Sequence, residues 1–406
     1  MSTRTRIPSK SPRTLLVLAF GIGTVCLAPR TGAVVLFSTG SPTANTTAPT
    51  GPLADSGWQY EGTFGSVLGT PIAPQYFLSA KHVGLAGAVI GFQGQSYTVA
   101  SGTGDPTGDA QHPSDLQIWK ITGTFPDFAP MYTRKDEFGK PLVVIGRGTQ
   151  RGSEVYLDSV LKGWMPGTGD SVQRWGQNAV SLVYPYGPGN DLLVADFDQD
   201  GGPNEAHLTP NDSSGAVFMQ DGGVWKLAGI NFAVDDVYRY DGPGTYVRII
   251  APLFDARGYY LPDSASPTGY SQITGTAPVP TSFYASRIST KLAWIYSVTD
   301  PAGSLAGDGI PNLLKYALGF DVTAPATAAT GTPGLEPGFT TITYRKVTTA
   351  TDLTFSIERS SDCTSWTPAS AVNEIVQTVG TIQTIKAKVA LAGEPRLFLR
   401  LRVTRP

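Results

Sequence analysis

Between positions 34 and 261, short apolar runs alternate with clusters of Gly, Pro and Asp. The runs fall at 88–99, 116–121, 142–145, 155–161, 180–184 and 192–195. Stretches this short, rich in Val, Ile, Leu and Tyr and bounded by turn formers, predict strands rather than helices. A succession of such strands, with almost no 3.6-residue periodicity, predicts an all-β barrel or sandwich.

The pattern changes after 262. Positions 263–280 turn to Ser, Thr, Pro and Gly with little periodic apolar content, which reads as a linker. Phe283, Ile288, Leu292, Trp294 and Ile295 then suggest an amphipathic helix over 282–297. A second short helix over 311–318 opens on Pro311 and stops at Gly319, both good boundary residues. Alternating runs at 340–344, 353–357 and 397–403 suggest a small antiparallel β-sandwich at the C-terminal end. The expected organisation is a leader over 1–33, a β-rich domain over 34–262, a linker over 263–281, a helical segment over 282–325 and a β-sandwich accessory domain over 326–406.

Arg4, Arg6, Lys10 and Arg13 precede an apolar run from Leu15 to Leu27, and small residues follow as far as Ala28 and Ala33. This is the layout of a secretory signal peptide, with cleavage expected after Ala33 and a secreted, periplasmic or cell-surface destination. No later run is long and apolar enough to act as a transmembrane anchor. A net charge of -2, with 15% charged residues, offers no basic field, so nucleic acid is not an expected partner. Of the two cysteines, Cys26 lies in the leader and Cys363 would remain alone, so no intrachain disulfide is expected after processing.

Three segments carry chemistry. One strand-like run ends on Ser79-Ala80-Lys81-His82, a second opens on Ser114-Asp115-Leu116, and Thr209-Pro210-Asn211-Asp212-Ser213-Ser214-Gly215 precedes an apolar strand. A serine hydroxyl becomes a useful nucleophile when an imidazole takes its proton, and a carboxylate fixes the tautomer of that imidazole. The expected catalytic residues are His82 as general base, Asp115 as its orienting acid and Ser213 as nucleophile. Each type alone reads as ordinary surface or turn chemistry; their order and spacing carry the inference. His112, beside Pro113, reads as a surface residue.

Together these segments resemble the trypsin-like (chymotrypsin-fold) serine peptidases, over roughly 57–261. The absence of a disulfide framework points to the bacterial exported type. The resemblance implies two β-barrels with the cleft between them, His82 and Asp115 on the first and Ser213 on the second. It also implies peptide-bond hydrolysis of a protein or peptide substrate, an oxyanion hole formed by the backbone N–H groups of Asn211 and Ser213, and a substrate-binding role for His207, six residues before the nucleophile. With no acid at that position, a preference for Lys or Arg is not expected. Asn211, Ser214 and Ala216 stand where the family has Gly, Gly and Pro, so a catalytically inactive homologue serving as an extracellular binding or surface module is the alternative.

No cofactor is required by this chemistry. The stretch from Asp308 to Gly319 resembles a thrombospondin type 3 or dockerin-like calcium repeat, but Lys315 occupies the position of the bidentate acid, so calcium is not expected there. The acidic loop 196–201 has better ligand spacing, yet His207 falls on its twelfth place, and a solvated turn is the expected reading.

Overall fold

The computed structural model describes residues 34–326, 328–394 and 396–406. The expected signal peptide and its cleavage site fall outside the described residues, apart from Val34 on the far side of the cut.

The fold is all-β, as the strand-like runs predicted. Its first half is a closed barrel in which Gly62–Phe64, Val67–Ala73, Tyr76–Ala80, Leu116–Ile121, Gln95–Gly104 and Val89–Phe92 pair in that order. The expected run at 88–99 is a hairpin of the last two strands, turning at Gln93-Gly94, both at positive φ. Phe64, Val67, Phe77, Ile90, Phe92, Ile121 and Phe125 fill the barrel.

The second half is a seven-stranded antiparallel sheet in the order Arg174–Ala179, Pro141–Gly146, Ala216–Asp221, Val224–Val234, Ser282–Arg287, Asn190–Asp196 and Leu182–Gly187. A continuous core joins barrel and sheet, with Leu68, Leu78, Leu116 and Ile118 packed in one cluster with Val143, Ile145, Phe218, Leu227 and Ile230.

Two expectations need correcting. The segment 282–297 is not one helix: Ser282–Arg287 is a strand inserted between Asn190–Asp196 and Val224–Val234, and only Leu292–Thr299 (α1) is helical. All six strand residues are buried, so the two-residue alternation that marks a half-exposed strand is missing and helical spacing could be read into the run. Leu292, Trp294 and Ile295 of α1 join the core shared by barrel and sheet. The stretch read as a linker also carries structure, since Tyr270–Gln272 pairs with Tyr260–Pro262.

The second helix, Asn312–Leu318 (α2), follows Pro311 and is closed by Gly319 in the left-handed region, as its boundary residues predicted. Beyond it, the strands Thr332–Glu336, Phe339–Val347, Ile382–Ala390 and Val372–Val379 form one sheet, and Thr367–Pro368, Thr354–Ser360 and Phe398–Thr404 form another. Ile342, Tyr344, Ile357, Ile385, Ala387 and Val389 make the core of this sandwich.

The calcium-repeat-like turn holds an internal cation. The Lys315 ammonium, fully buried, lies 2.8 Å from Asp308 Oδ2 and donates to the Ala324 carbonyl at 2.7 Å. The Asp308 carboxylate also accepts from Ser304 Oγ and from the Ile310 and Ala326 N–H groups. A fixed ammonium on this carboxylate does not fit a divalent cation, which would meet direct charge repulsion. Among the described residues, no group of three or more His, Cys, Asp or Glu is arranged to hold a metal ion.

Candidate active site

Strand register brings the acid and the base together. Ala80 pairs with Leu116 at the end of the antiparallel ladder between Tyr76–Ala80 and Leu116–Ile121. The next residue, Lys81, donates its N–H to the Asp115 carbonyl at 2.6 Å. The chain then turns through a 3₁₀ segment, Lys81–Val83, which swings His82 over Asp115. His82 is held twice, with its backbone N–H 2.8 Å from Asp115 Oδ1 and its ring Nδ1 2.7 Å from Asp115 Oδ2. The other ring nitrogen, Nε2, lies 2.9 Å from Ser213 Oγ. Residues 33 and 131 positions apart in the chain thus form one hydrogen-bonded relay.

The acid is sheltered and the base is open to incoming molecules: the side chain of Asp115 is 10% exposed and that of His82 43%. Burial disfavours the imidazolium, but the hydrogen bond and the charge of Asp115 outweigh it and raise the His82 pKa above its usual 6.5. Phe232 closes one side of the ring in an edge-on contact at 6.2 Å, and Tyr186 packs on Phe232 at 5.7 Å. His112, read as a surface residue, rests against Tyr186 at 4.9 Å and pairs with Asp109 at 3.3 Å.

The nucleophile loop is set from within by Asp212. Its carboxyl accepts from Gly148 N–H at 2.6 Å and from both the N–H and the hydroxyl of Thr209 at 2.8 Å, and also from the Val34 backbone. Gly148 is required there, since a Cβ would stand 2.5 Å from the Asp212 carboxyl carbon. Burial pushes Asp212 up to about 7, against these hydrogen bonds and the charge of Arg174, which both favour the carboxylate.

On either side of Ser213 the loop passes through the left-handed region, with φ 82° at Asn211 and 76° at Ser214. These are two of the positions where the resembled family has glycine. Asn tolerates such angles better than most residues do, whereas Ser214 is held by its hydroxyl. That hydroxyl donates to the Leu68 carbonyl at 2.7 Å and accepts from the Ala80 N–H at 3.1 Å. It therefore bridges the loop to two barrel strands while fully buried, and Ser213 alone of the two serines faces the imidazole.

The sequence reading missed Asn231. Its side-chain amide donates to the carbonyls of Ile145 and Asp212 at 2.9 and 3.0 Å. Its backbone exchanges hydrogen bonds with Gly215 and Ser214. The available signal was a lone polar residue inside the apolar run from Leu227 to Phe232, because a buried amide requires partners.

His207 is not placed as a substrate contact. It lies on the short strand Ala206–His207, paired with Val35–Leu36. The residue is 1% exposed, and its ring packs edge-on against Phe197 and Phe283. Burial lowers its pKa to about 4, so the ring is neutral at ordinary pH. Sequence offset located the residue correctly before the loop but could not show that its side chain turns into the core.

No protein-family model matches the chain, and no curated protein matches it. Among solved structures, a mutant of human heparin binding protein (CAP37) aligns with 61% of this chain and 94% of its own at 13% identity, with a TM-score of 0.36. The HtrA-type protease AlgW, solved with a decapeptide, aligns with 84% of this chain and 83% of its own at 14% identity and a TM-score of 0.32. Kallikrein-related peptidase 10 aligns with 60% and 97% at 13% identity and a TM-score of 0.29. Overlaps this loose assign nothing to individual residues.

Proposed function

We propose that this protein is an exported serine endopeptidase that cleaves peptide bonds through an acyl-enzyme on Ser213. The observation that carries the reading is the continuous relay from Asp115 through His82 to Ser213, with links of 2.7 and 2.9 Å. In this reaction Ser213 Oγ attacks the scissile carbonyl while His82 Nε2 takes the hydroxyl proton, and Asp115 stabilises the imidazolium that forms. The proton then passes to the leaving amine as the C–N bond breaks. A water, deprotonated by the same imidazole, releases the acyl group and restores the hydroxyl.

The N–H groups of Asn211 and Ser213 are assigned to the oxyanion, a contribution of about 3 kcal/mol per donor. Export rests on the basic cluster and apolar run at the N-terminus. No helix among the described residues is long and apolar enough to cross a membrane.

A fluorophosphonate probe tests the reading. The full chain should label covalently, and labelling should vanish in Ser213→Ala and fall steeply in His82→Ala. A wild-type chain that is folded but does not label would overturn the proposal and favour the inactive binding module.

A further inference from the structure

A buried ammonium lies below the loop that presents Asp115. Lys291, the residue immediately before α1, is 1% exposed, and its Nζ lies 2.7 Å from Asp105 Oδ2, with both side chains fully buried. The same Nζ donates to Thr107 Oγ1, and to Ser114 Oγ at 3.3 Å. An ammonium has three donors, and here all three go to one loop of the first barrel. That is a costly arrangement for a residue type that is rarely buried. The proposed chemistry makes no direct use of it.

The three acceptors frame the acid. Asp105 N–H bonds to the Leu116 carbonyl at 2.9 Å, and Ser114 N–H bonds to the Thr107 carbonyl at 3.0 Å. Within the loop, Asp105 accepts from the N–H and the hydroxyl of Thr107 at 3.1 and 2.8 Å. Asp115 therefore lies between two residues, Ser114 and Leu116, that are both tied to the atoms around the ammonium.

The other end of the lever is equally fixed. Arg287 is paired with buried Glu137 and with Asp191, and Ser289 Oγ donates to Glu137 at 2.5 Å. The Ile288 N–H bonds to the Ala228 carbonyl, and the Lys291 N–H to that of Ile288. The ammonium thus connects the second-half sheet, which carries the nucleophile, to the loop that carries the acid.

Taking the peptidase reading as its premise, we infer that Lys291 is a positioning residue: it pins the 105–116 loop so that Asp115 stays within hydrogen-bond reach of both the backbone and the ring of His82. It touches neither substrate nor reacting atoms. Its effect is on the geometry of the acid, where a displacement of about 1 Å can reduce turnover by up to roughly 100-fold.

The test uses the full chain with Lys291→Met and with the double substitution Lys291→Met/Asp105→Asn. The double variant leaves no lone buried charge and guards against simple unfolding. Three readouts are taken: melting temperature, kcat and KM on an internally quenched peptide, and the low-field proton resonance of His82 Nδ1.

The expected result is that the double variant recovers most of the melting temperature lost in Lys291→Met. Its kcat should stay on the order of 10- to 100-fold down at nearly unchanged KM, and the low-field resonance should broaden or move upfield. A double variant that folds, turns over at the wild-type kcat and keeps a sharp wild-type resonance would overturn the inference. If the wild-type chain cleaves nothing, the peptidase reading fails on its own, and the resonance still decides whether Lys291 holds Asp115.

Discussion

Ser214 presents two opposed effects that can be separated by substitution. At φ 76° its Cβ is in a region that costs an L-residue about 1–2 kcal/mol, so replacement by glycine relieves strain. The same replacement removes a hydroxyl that accepts from Ala80 N–H and donates to the Leu68 carbonyl, in a site where Ser214 and Ala80 are fully buried and Leu68 is 1% exposed. Each of the two stranded backbone groups costs about 1–3 kcal/mol, which puts the loss at about 2–6 kcal/mol. Glycine returns about 1–2 kcal/mol of strain but gives up about 0.4–1 to unfolded-chain entropy.

The expected order of stability is therefore wild type, then Ser214→Gly about 1–5 kcal/mol lower, then Ser214→Ala about 0.5–1 kcal/mol below that. Urea unfolding followed by intrinsic fluorescence measures the series. Fluorophosphonate labelling measured alongside should persist in both variants at reduced rate, since the hydroxyl faces the barrel. A Ser214→Gly chain more stable than wild type would show that the bridge between the two halves contributes nothing and that the departure from glycine is only a burden.

Other outcomes follow from the same structure. Because Asp115 raises the pKa of His82 and the base must be neutral, kcat/KM should rise with pH through a midpoint above 6.5, and a midpoint below that value would contradict the pairing. The same shift contributes stability below pH 6.5 that is lost as pH rises through the folded pKa, so Asp115→Asn should flatten that part of the stability profile. Glu61 and Glu205 are buried carboxyls raised to about 8. The folded state therefore binds more protons than the unfolded one between about pH 4.5 and 8, stability should fall across that window, and Glu61→Gln should remove part of the slope in a melting-temperature series. Chelators should leave the melting temperature unchanged, whereas Lys315→Met should lower it by leaving Asp308 without its cation; a chelator-sensitive wild type would refute the internal-cation account.

The parts of the molecule that are local in sequence were readable from it. The strand at 116–121 matches its predicted limits, and α2 starts after Pro311 and stops at Gly319 as its end signals require. The site could be read because its residues flank recognisable strands: His82 follows one by a single short turn and Asp115 immediately precedes its neighbour. What could not be read depends on three-dimensional surroundings. Ser282–Arg287 is buried on both faces, so it lacks the alternation that distinguishes strand from helix. His207 sits at the expected offset yet turns inward among Phe197 and Phe283. Lys291 and Asn231 act on groups tens to hundreds of positions away, and spacing in the chain says nothing about them.

The position of Ser282–Arg287 in the middle of the second-half sheet sets an order of events during synthesis. Until that strand has left the ribosome, Val224–Val234 and Asn190–Asp196 have no partner between them, and Lys291 cannot reach the loop that carries Asp115. The newly made polypeptide therefore holds His82, Asp115 and Ser213 well before the sheet around them can close, so on the peptidase reading a chain released short of Arg287 should not label with a fluorophosphonate.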